Sequence, residues 1–195
     1  MRSKSNLNPE PCGRPSGGAA RKSEPALACG AVDAAFHEKY MRLAQAEAAK
    51  AETEGEVPAG CVVVVPGGDG SPRIVGRAHN MAEALKDPTA HAEMLAITQA
   101  TAAVGDWRLE NAILYVTKEP CPMCGGAIVL ARVPFVVWGA DDPKRGAHTV
   151  FRMFEHPGIN HHPDVLPGVC RDACLEQLQG FFRSRRLKKP PSREN

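Results

Sequence analysis

Two short segments of the chain carry side chains that could together bind a metal ion and activate water. The first contains His91 and Glu93, and the second contains Cys121 and Cys124 with prolines on both sides of Cys121. One imidazole and two thiolates are common zinc ligands, and a zinc site with three protein ligands keeps its fourth position open for water. We therefore predict that His91, Cys121 and Cys124 bind zinc. A fourth protein ligand would close the site, so Glu93 is predicted to act on the water instead.

Zinc changes the acidity of the water that it binds. It lowers the pKa of that water from about 15.7 to ~7, so that hydroxide, a strong nucleophile, is present at neutral pH. A neighbouring carboxylate can take the water proton, pass a proton to a ring nitrogen of a nucleobase, and help an amine to leave as ammonia. These are the steps of a hydrolytic deamination, and they are the roles predicted for Glu93.

The local sequence favours a helix start at both segments. Asp, Pro and Thr at 87–89 are typical of a helix N-terminus. Residues two apart on a regular helix point roughly 200° apart, so His91 and Glu93 can share one ion only if His91 lies at the helix entry. Cys121 and Cys124 are predicted to lie on one face of a second helix start, where unpaired amide groups favour thiolates.

Two other interpretations of the cysteines are open at this point. Cys121 and Cys124 could be a redox pair, although no thioredoxin-like pattern surrounds them and the His-Ala-Glu segment would be unexplained. A structural zinc site would need a fourth ligand, and Cys61 is a candidate. Four valines follow Cys61, however, and such an apolar run favours an ordinary core thiol. A catalytic zinc site explains more of the pattern.

Size and composition favour one globular domain with an extension at each end. The chain has 195 residues, a net charge of +2 and seven cysteines, an odd count that suits a reducing cytoplasm better than a disulfide framework. No run of about 18 apolar residues occurs, so no membrane span is predicted. Residues 1–31, rich in Pro, Gly, Ser and Arg, are predicted to be a disordered N-terminal extension. Residues 32–188 are predicted to form the zinc-dependent domain, and residues 189–195 a flexible tail.

Hydrophobic periodicity predicts alternating helices and strands in this domain. A first helix is followed by a hairpin of two strands, after which helices and buried strands alternate. This alternation predicts an α/β fold with a sheet covered by helices on both faces. The predicted helices cover residues 33–53, 90–104 and 169–188, and a further helix runs from the segment with Cys121 and Cys124 to about residue 132. The predicted strands cover residues 58–66, 74–78, 112–116 and 134–138.

From about residue 32 to residue 188 the chain resembles the tRNA-specific adenosine deaminases, which belong to the cytidine deaminase-like superfamily. The HAE and PCxxC motifs are shared by many deaminases, whereas HPGINH at 156–161 and FFRSRR at 181–186 are closer to the tRNA enzymes. The resemblance implies a three-layer α/β/α sandwich with a mixed five-stranded sheet, one zinc ion per subunit, no organic cofactor, and a homodimer. The other motifs that carry it are Asn80 and residues 56–60, 87–93, 114–117, 119–124 and 139–146.

The same resemblance implies a reaction and a substrate. Adenosine at the wobble position of a tRNA anticodon is converted to inosine when zinc-bound hydroxide attacks C6 of adenine and ammonia is released. The partner is the anticodon stem-loop of tRNA. Asn80 and Asp142, together with Ala92, are implied to contact the extruded nucleotide. An amide can pair with a base edge, and a carboxylate can accept a hydrogen bond from the ribose 2′-hydroxyl. Without the resemblance, Asn80 would be expected to be a turn residue and Asp142 a loop cap.

The aromatic and basic residues near the C-terminus give a physical reason to expect RNA. Phe182, Arg183 and Arg185 could stack an unpaired base and contact phosphates. Phe181 is in helical register with core positions of the last helix and is predicted to be buried. An anticodon loop presents unstacked bases, so extruding one of them costs less than opening a duplex.

Two other functions are open on the sequence alone. A zinc-dependent deaminase of a free base or nucleoside, of guanine or cytosine type, needs the same metal ligands but no basic aromatic C-terminus. A non-catalytic RNA-binding subunit could keep the zinc ion, but it would have no use for Glu93. Residues 147–151 are bulkier than the resembled family usually has, and the loop is one residue shorter, so no individual role is predicted for Lys144 or His148.

Overall fold

Helices and strands alternate along the part of the chain that the computed structural model describes, residues 33–188. The predicted extension at 1–31 and the predicted tail at 189–195 lie outside these residues. Within them, no helix combines the length and the apolar character that a bilayer crossing requires. The helices are α1 (Ala34–Thr53), α2 (Ala82–Leu85), α3 (Ala92–Val104), α4 (Pro122–Leu130), α5 (Arg171–Lys188) and a 3-10 helix (Met153–Glu155). The strands are β1 (Gly60–Pro66), β2 (Pro72–His79), β3 (Ile113–Lys118), β4 (Phe135–Ala140) and β5 (Asp164–Leu166).

The five strands form one mixed sheet in the order β2-β1-β3-β4-β5. β1 pairs antiparallel with both β2 and β3, whereas β3 with β4 and β4 with β5 are parallel. Gly60 at the start of β1 pairs with His79 at the end of β2, and Lys118 at the end of β3 pairs with Ala140 at the end of β4. These four strand ends share one edge of the sheet, and the candidate site lies there.

Helices cover both faces of the sheet, and successive strand residues alternate between two apolar clusters. Cys61, Leu114 and Trp138 face the side that α3 and α4 cover. Val62 and Tyr115 face the side that α1 and α5 cover. Strands buried on both faces read as continuous apolar runs, which is why the valine run after Cys61 identified β1. The predicted three-layer α/β/α sandwich with a mixed five-stranded sheet is confirmed.

Two glycines let the helices rest directly on the sheet. A Cβ atom at Gly60 would collide with the carbonyl oxygen of Ala44 in α1. A Cβ atom at Gly76 in β2 would collide with the carbonyl oxygen of Ala96 in α3. The absent side chains therefore fix the depth of α1 and α3 against the sheet, and the depth of α3 in turn sets the position of His91.

Several element bounds differ from the sequence prediction for backbone reasons. α4 ends at Leu130 rather than near 132, because Arg132 has a left-handed backbone with φ of 58°. α5 begins at Arg171 rather than near 169, because Cys170 has φ of 53°. The short elements α2, β5 and the 3-10 helix were not predicted, since three or four residues are too few to show a period.

Candidate metal and nucleotide site

Both predicted metal-binding segments lie at the start of a helix at the same edge of the sheet. His91 is the N-cap of α3 and Cys121 is the N-cap of α4, each with an extended backbone. Asp87 organises the turn before His91, because its Oδ1 accepts hydrogen bonds from the Thr89 amide at 2.8 Å and from the Thr89 hydroxyl at 2.7 Å. Pro122 occupies the first position of α4, where a missing amide hydrogen costs nothing. His91 thus lies at the helix entry, as predicted.

Three candidate ligand atoms converge at this point. Nδ1 of His91 lies 3.6 Å from Sγ of Cys121 and 3.5 Å from Sγ of Cys124, and the two sulfurs are 3.7 Å apart. A tetrahedral zinc ion with bonds of about 2.0 Å to nitrogen and about 2.3 Å to sulfur would place its ligands roughly 3.5–3.8 Å apart. The donor set and its spacing therefore fit zinc. Among residues 33–188 the cluster has three members, and Cys61, fully buried in the core, is not one of them.

The two cysteines are electrostatically unequal without a metal ion. Hydrogen bonding from the Cys124 thiol, together with His91, lowers the pKa of Cys121 to about 3. The Cys124 thiol donates its hydrogen to Cys121, and this hydrogen bond together with burial raises the pKa of Cys124 well above its usual value. The protein therefore favours one thiolate unaided, and a dication that binds both sulfurs would displace the remaining proton.

Glu93 lies in the first turn of α3, two residues after His91, and lines the same cavity. Its side chain is buried, with 5% of the residue exposed, and this burial raises the pKa of its carboxyl group. A carboxyl group with a raised pKa is suited to accept a proton in one step and to return it in the next. Its place beside the ligand cluster is the one that the predicted proton transfers require.

The ligand cluster opens into a cavity of about 790 Å³, which is large enough for a nucleotide. The metal-binding wall of this cavity is formed by His91, Glu93 and Cys121. A second group of lining residues, Asn80, Lys118, Asp142 and Phe182, is named the recognition wall after the role predicted for Asn80, Asp142 and Phe182. The remaining lining residues are Val57, Ala59, Ala82, Glu119, Pro122, Met123, Lys144, Arg145 and Leu178.

Asn80 is held in the recognition wall by a buried carboxylate. Its Nδ2 donates a hydrogen bond to Oε2 of Glu56 at 2.9 Å, and Oε1 of Glu56 accepts one from the Ala84 amide at 2.7 Å. Glu56 is 1% exposed, so these bonds are shielded from water. Because the amide nitrogen faces Glu56, the Asn80 carbonyl oxygen is the atom left to face the cavity. Sequence reasoning found Asn80 but missed the positioning role of Glu56, which is 24 residues distant.

Asp142 lies in the recognition wall, but its carboxylate oxygens are already engaged. Oδ2 forms an ion pair with Nζ of Lys118, and Oδ1 accepts hydrogen bonds from the amides of Lys144 at 3.1 Å and Arg145 at 3.2 Å. Burial alone would raise the pKa of Asp142, but the Lys118 ammonium and the two amides lower it below its usual value. The expected bond to a ribose hydroxyl would therefore compete with three existing partners.

Glu119 connects the cysteine segment to the loop that carries Asp142. Its buried carboxylate accepts hydrogen bonds from the amides of Asp142 at 2.9 Å, His148 at 3.1 Å and Thr149 at 2.8 Å, and from the Thr149 hydroxyl at 2.8 Å. Gly146 packs against this carboxylate so closely that a side chain there would overlap it. This role could not be predicted from the sequence, because no periodicity or spacing around Glu119 points to a hydrogen-bond partner in a distant loop.

The predicted RNA-contacting residues of α5 fall into two groups. Phe182 is 42% exposed and lines the mouth of the cavity, while Phe181 is buried as predicted, with 4% exposed. Arg183 is exposed and lies outside the cavity lining. Arg185 donates a hydrogen bond to the carbonyl oxygen of Gly55 at 3.0 Å and lies over the Phe181 ring. Ala92 is fully buried and is also outside the lining.

The bulky segment 147–151 packs partly inward. Ala147 is buried, and the centroid of the His148 ring lies 5.7 Å from that of Trp138 and 6.1 Å from that of Phe154. Phe151, by contrast, is largely exposed. His148 therefore contributes to packing near the cavity rather than to its lining.

Comparison with known proteins agrees with this architecture. The model of the MafB19-like deaminase family matches residues 35–186. A tRNA-specific adenosine deaminase of Bacillus subtilis (strain 168) is 49% identical over 159 residues, covering 81% of this chain and 96% of that protein. A solved structure from work on A-to-I editing by tRNA:A34 deaminases at the wobble position of transfer RNA has 43% identity and a TM-score of 0.67, covering 72% of this chain and 99% of that one. A guanine deaminase from Bacillus subtilis has 28% identity and a TM-score of 0.51, covering 81% of this chain and 98% of that one. The chain therefore belongs to the family of tRNA-specific adenosine deaminases.

Proposed function

We propose that the protein hydrolyses adenosine to inosine at the wobble position of tRNA anticodons and releases ammonia. The observation that carries this proposal is the convergence of three metal-ligand atoms within 4.8 Å of one another beside Glu93, in a nucleotide-sized cavity with Phe182 at its mouth. The family supports tRNA as the substrate, because the relative with 49% identity is named for that activity.

We propose zinc as the metal ion, held by His91, Cys121 and Cys124. Zinc supplies Lewis acidity that lowers the pKa of a water molecule to about 7. Glu93 takes one proton from this water and delivers it to a ring nitrogen of adenine. The water oxygen bonds to C6 and keeps its second proton. Glu93 then takes that proton from the new C6 hydroxyl group and passes it to the amino nitrogen, so that a carbonyl forms at C6 and ammonia leaves as the bond between C6 and the amino nitrogen breaks. Adenosine and water thus become inosine and ammonia, and Glu93 ends in its starting state.

The recognition wall orients the nucleotide for this chemistry. The Asn80 carbonyl oxygen, fixed by Glu56, can accept a hydrogen bond from the base or its ribose. Phe182 offers an exposed aromatic surface on which a neighbouring unpaired base can stack. Arg183 and Arg185 lie along the same helix and add positive charge for the RNA backbone. Ala92 follows His91 at the start of α3 and supports the site from beneath the lining.

Apolar side chains exposed next to α4 support a homodimer. Leu130 at the end of α4 is 71% exposed, and Val150 and Phe151 in the adjoining loop are also exposed. The 3-10 helix that follows this loop packs on α4. We propose that these side chains form part of the interface between two copies of the chain, because contiguous apolar surface is typical of such interfaces. We expect light scattering to give twice the mass of the chain and Phe151→Asp to shift the protein towards monomer.

We propose that the protein acts in the cytoplasm as one zinc-dependent domain spanning residues 32–188. A tRNA substrate and a metal site that needs reduced thiols both suit that compartment. Within residues 33–188 the cysteines are all free thiols, namely Cys61, Cys121, Cys124, Cys170 and Cys174. This part of the chain therefore has none of the disulfides that are typical of secreted proteins.

The decisive experiment compares substrates. The zinc-loaded protein is incubated with an anticodon stem-loop RNA that has adenosine at the wobble position, and separately with free adenosine, guanine and cytidine. Inosine in the RNA, and no product from the free compounds, is the expected result. Product from guanine or cytidine alone would show a free-base deaminase, and no product from any substrate would favour a non-catalytic RNA-binding subunit. Glu93→Gln is the control for contaminating activity.

A further inference from the structure

We propose that Lys118 binds a phosphate group of the RNA backbone beside the target adenosine, and that Asp142 positions the Lys118 ammonium rather than contacting RNA itself. This inference rests on the proposed function, because it assigns part of the substrate to one wall of the same cavity.

Lys118 is the last residue of β3, and the earlier residues on the same face of this strand are apolar. Side chains two apart on a strand share a face, so Leu114, Val116 and Lys118 point to the same side of the sheet. Leu114 and Val116 are buried in the core under α3 and α4. Lys118 ends this row at the cavity, and its side chain is 24% exposed. Burying most of a lysine side chain is costly unless the ammonium group has partners, and Asp142 supplies one of them.

The bonds around Asp142 leave Lys118 as the group with free hydrogen-bonding capacity. Both carboxylate oxygens of Asp142 have partners, namely Lys118 on one side and the amides of Lys144 and Arg145 on the other. A lysine ammonium has three donors, and Asp142 takes one. No further acceptor for Lys118 occurs within residues 33–188. Its two remaining donors can therefore meet an oxygen of a ligand in the cavity.

The charges at the cavity mouth favour an anion. Lys118, Lys144 and Arg145 all line the cavity, and Asp142 forms hydrogen bonds with each of them. Asp142 and Glu119 offset two of these three positive charges, and their oxygens already accept hydrogen bonds from the protein, so the groups left to bind a ligand on this side are donors. A lysine ammonium recognises phosphate as a compact point charge, whereas it carries no acceptor with which to read a base edge.

The position of Phe182 indicates how a backbone phosphate reaches Lys118. Phe182 and Lys118 line the same cavity, and Phe182 is the exposed aromatic residue at its mouth. A base stacked on Phe182 while its neighbour enters the cavity would draw the connecting backbone across the mouth. The negatively charged part of that backbone is the phosphate between the two nucleotides, and Lys118 is the partner we assign to it.

The first test measures binding and turnover of the anticodon stem-loop RNA by the full zinc-loaded chain. We expect Lys118→Met to raise KM about 10-fold while kcat stays within about twofold, which is the signature of lost uniform binding. The plot of log affinity against log salt should lose about 0.7 of its slope, the value for one phosphate contact to a single strand. Lys118→Arg should keep most of the slope. Arg73→Met removes one positive charge at the far end of β2, where Arg73 pairs with Val65, and should change neither quantity.

The second test alters the RNA instead of the protein, so it does not depend on how the variants fold. Each phosphate next to the target adenosine is replaced in turn by a neutral methylphosphonate. One replacement should weaken binding to the wild-type chain about as much as Lys118→Met does, and should have no further effect on Lys118→Met. Independent losses at every position, or an unchanged salt slope in Lys118→Met, would overturn the assignment. Loss of binding on removing a 2′-hydroxyl, with no phosphate effect, would overturn it in favour of ribose. Inosine formation by the wild type in the same assay separates these outcomes from a failure of the proposed function.

Discussion

The metal-binding wall of the cavity is built from two helix starts, whereas the recognition wall is built from side chains that distant carboxylates hold in place. His91, Cys121 and Cys124 meet because α3 and α4 begin at the same edge of the sheet. Asn80 and Asp142, in contrast, are each held by a buried glutamate or by a lysine from another segment. The chemistry therefore depends on short local motifs, and recognition depends on long-range hydrogen bonds.

Because the two walls are built differently, we expect substitutions in them to affect different properties of the enzyme. Under the proposed function, a change in the metal-binding wall removes a group that the reaction needs and leaves the proposed RNA-binding surface intact. A change in the recognition wall leaves the reacting groups and alters either the fit of the substrate or the stability of the loops. The two walls should consequently give opposite patterns in kcat and KM.

The largest effect is expected for Glu93→Gln in the metal-binding wall. Glutamine cannot carry a proton, so kcat should fall about 10³-fold or more, while RNA affinity and bound zinc stay unchanged. Single-turnover inosine formation, RNA binding and metal content measure the three quantities. Glu83→Gln, a change at an exposed carboxylate on α2, is the matched control. Full turnover by Glu93→Gln would remove Glu93 from the proton-transfer steps.

Glu119→Gln tests the support of the recognition wall. The glutamine amide would place a donor against loop amides that also donate, so the free energy of unfolding should fall by about 2–4 kcal/mol. Urea denaturation measures this change. Glu110→Gln alters an exposed carboxylate and should change the free energy of unfolding by less than about 0.5 kcal/mol. A similar small change in Glu119→Gln would show that the loop holds its place without these bonds.

Phe182→Ala tests the aromatic surface at the cavity mouth. Loss of one stacked base should weaken RNA binding by about 1–3 kcal/mol, with kcat affected little. Fluorescence anisotropy with the stem-loop RNA measures the affinity. Leu187→Ala removes a more exposed apolar side chain of the same helix, outside the cavity lining, and serves as the comparison. Equal losses in the two variants would mean that the C-terminal surface binds without stacking.

The smallest effect is expected in the pH dependence of the recognition wall. The folded pKa of Asp142 is lowered, in spite of its burial, by Lys118 and two amides. Its charge therefore stabilises the fold above the unfolded pKa of about 3.9, and this contribution is lost as the pH falls through the lower folded value. The difference in unfolding free energy between wild type and Asp142→Asn should be constant from pH 7 to about pH 5 and should shrink below that. A difference that grows on acidification would contradict the ion pair.

The contrast between the walls also explains what the sequence could predict. The convergence of His91, Cys121 and Cys124 near Glu93, and the positions of the buried strands, could be predicted, because short spacings and apolar runs signal them. Phe181 and Phe182 were told apart by helical register alone. Within the described residues, however, Glu56, Glu119 and Lys118 act on partners more than twenty residues away, at 24, 23 and 24 residues respectively, and no local pattern marks such pairs. The α5 arginines were predicted as one RNA-contacting group, yet Arg185 bonds to Gly55 across the fold.

Metal analysis of the purified, untagged chain decides whether the three ligand atoms form the reactive centre. We predict one zinc ion per chain in the wild type and in Glu93→Gln, and loss of both the zinc and the inosine-forming activity in Cys124→Ser. A wild-type chain that forms inosine in tRNA with no bound metal, or a Cys124→Ser chain that retains zinc and activity, would contradict the site described above.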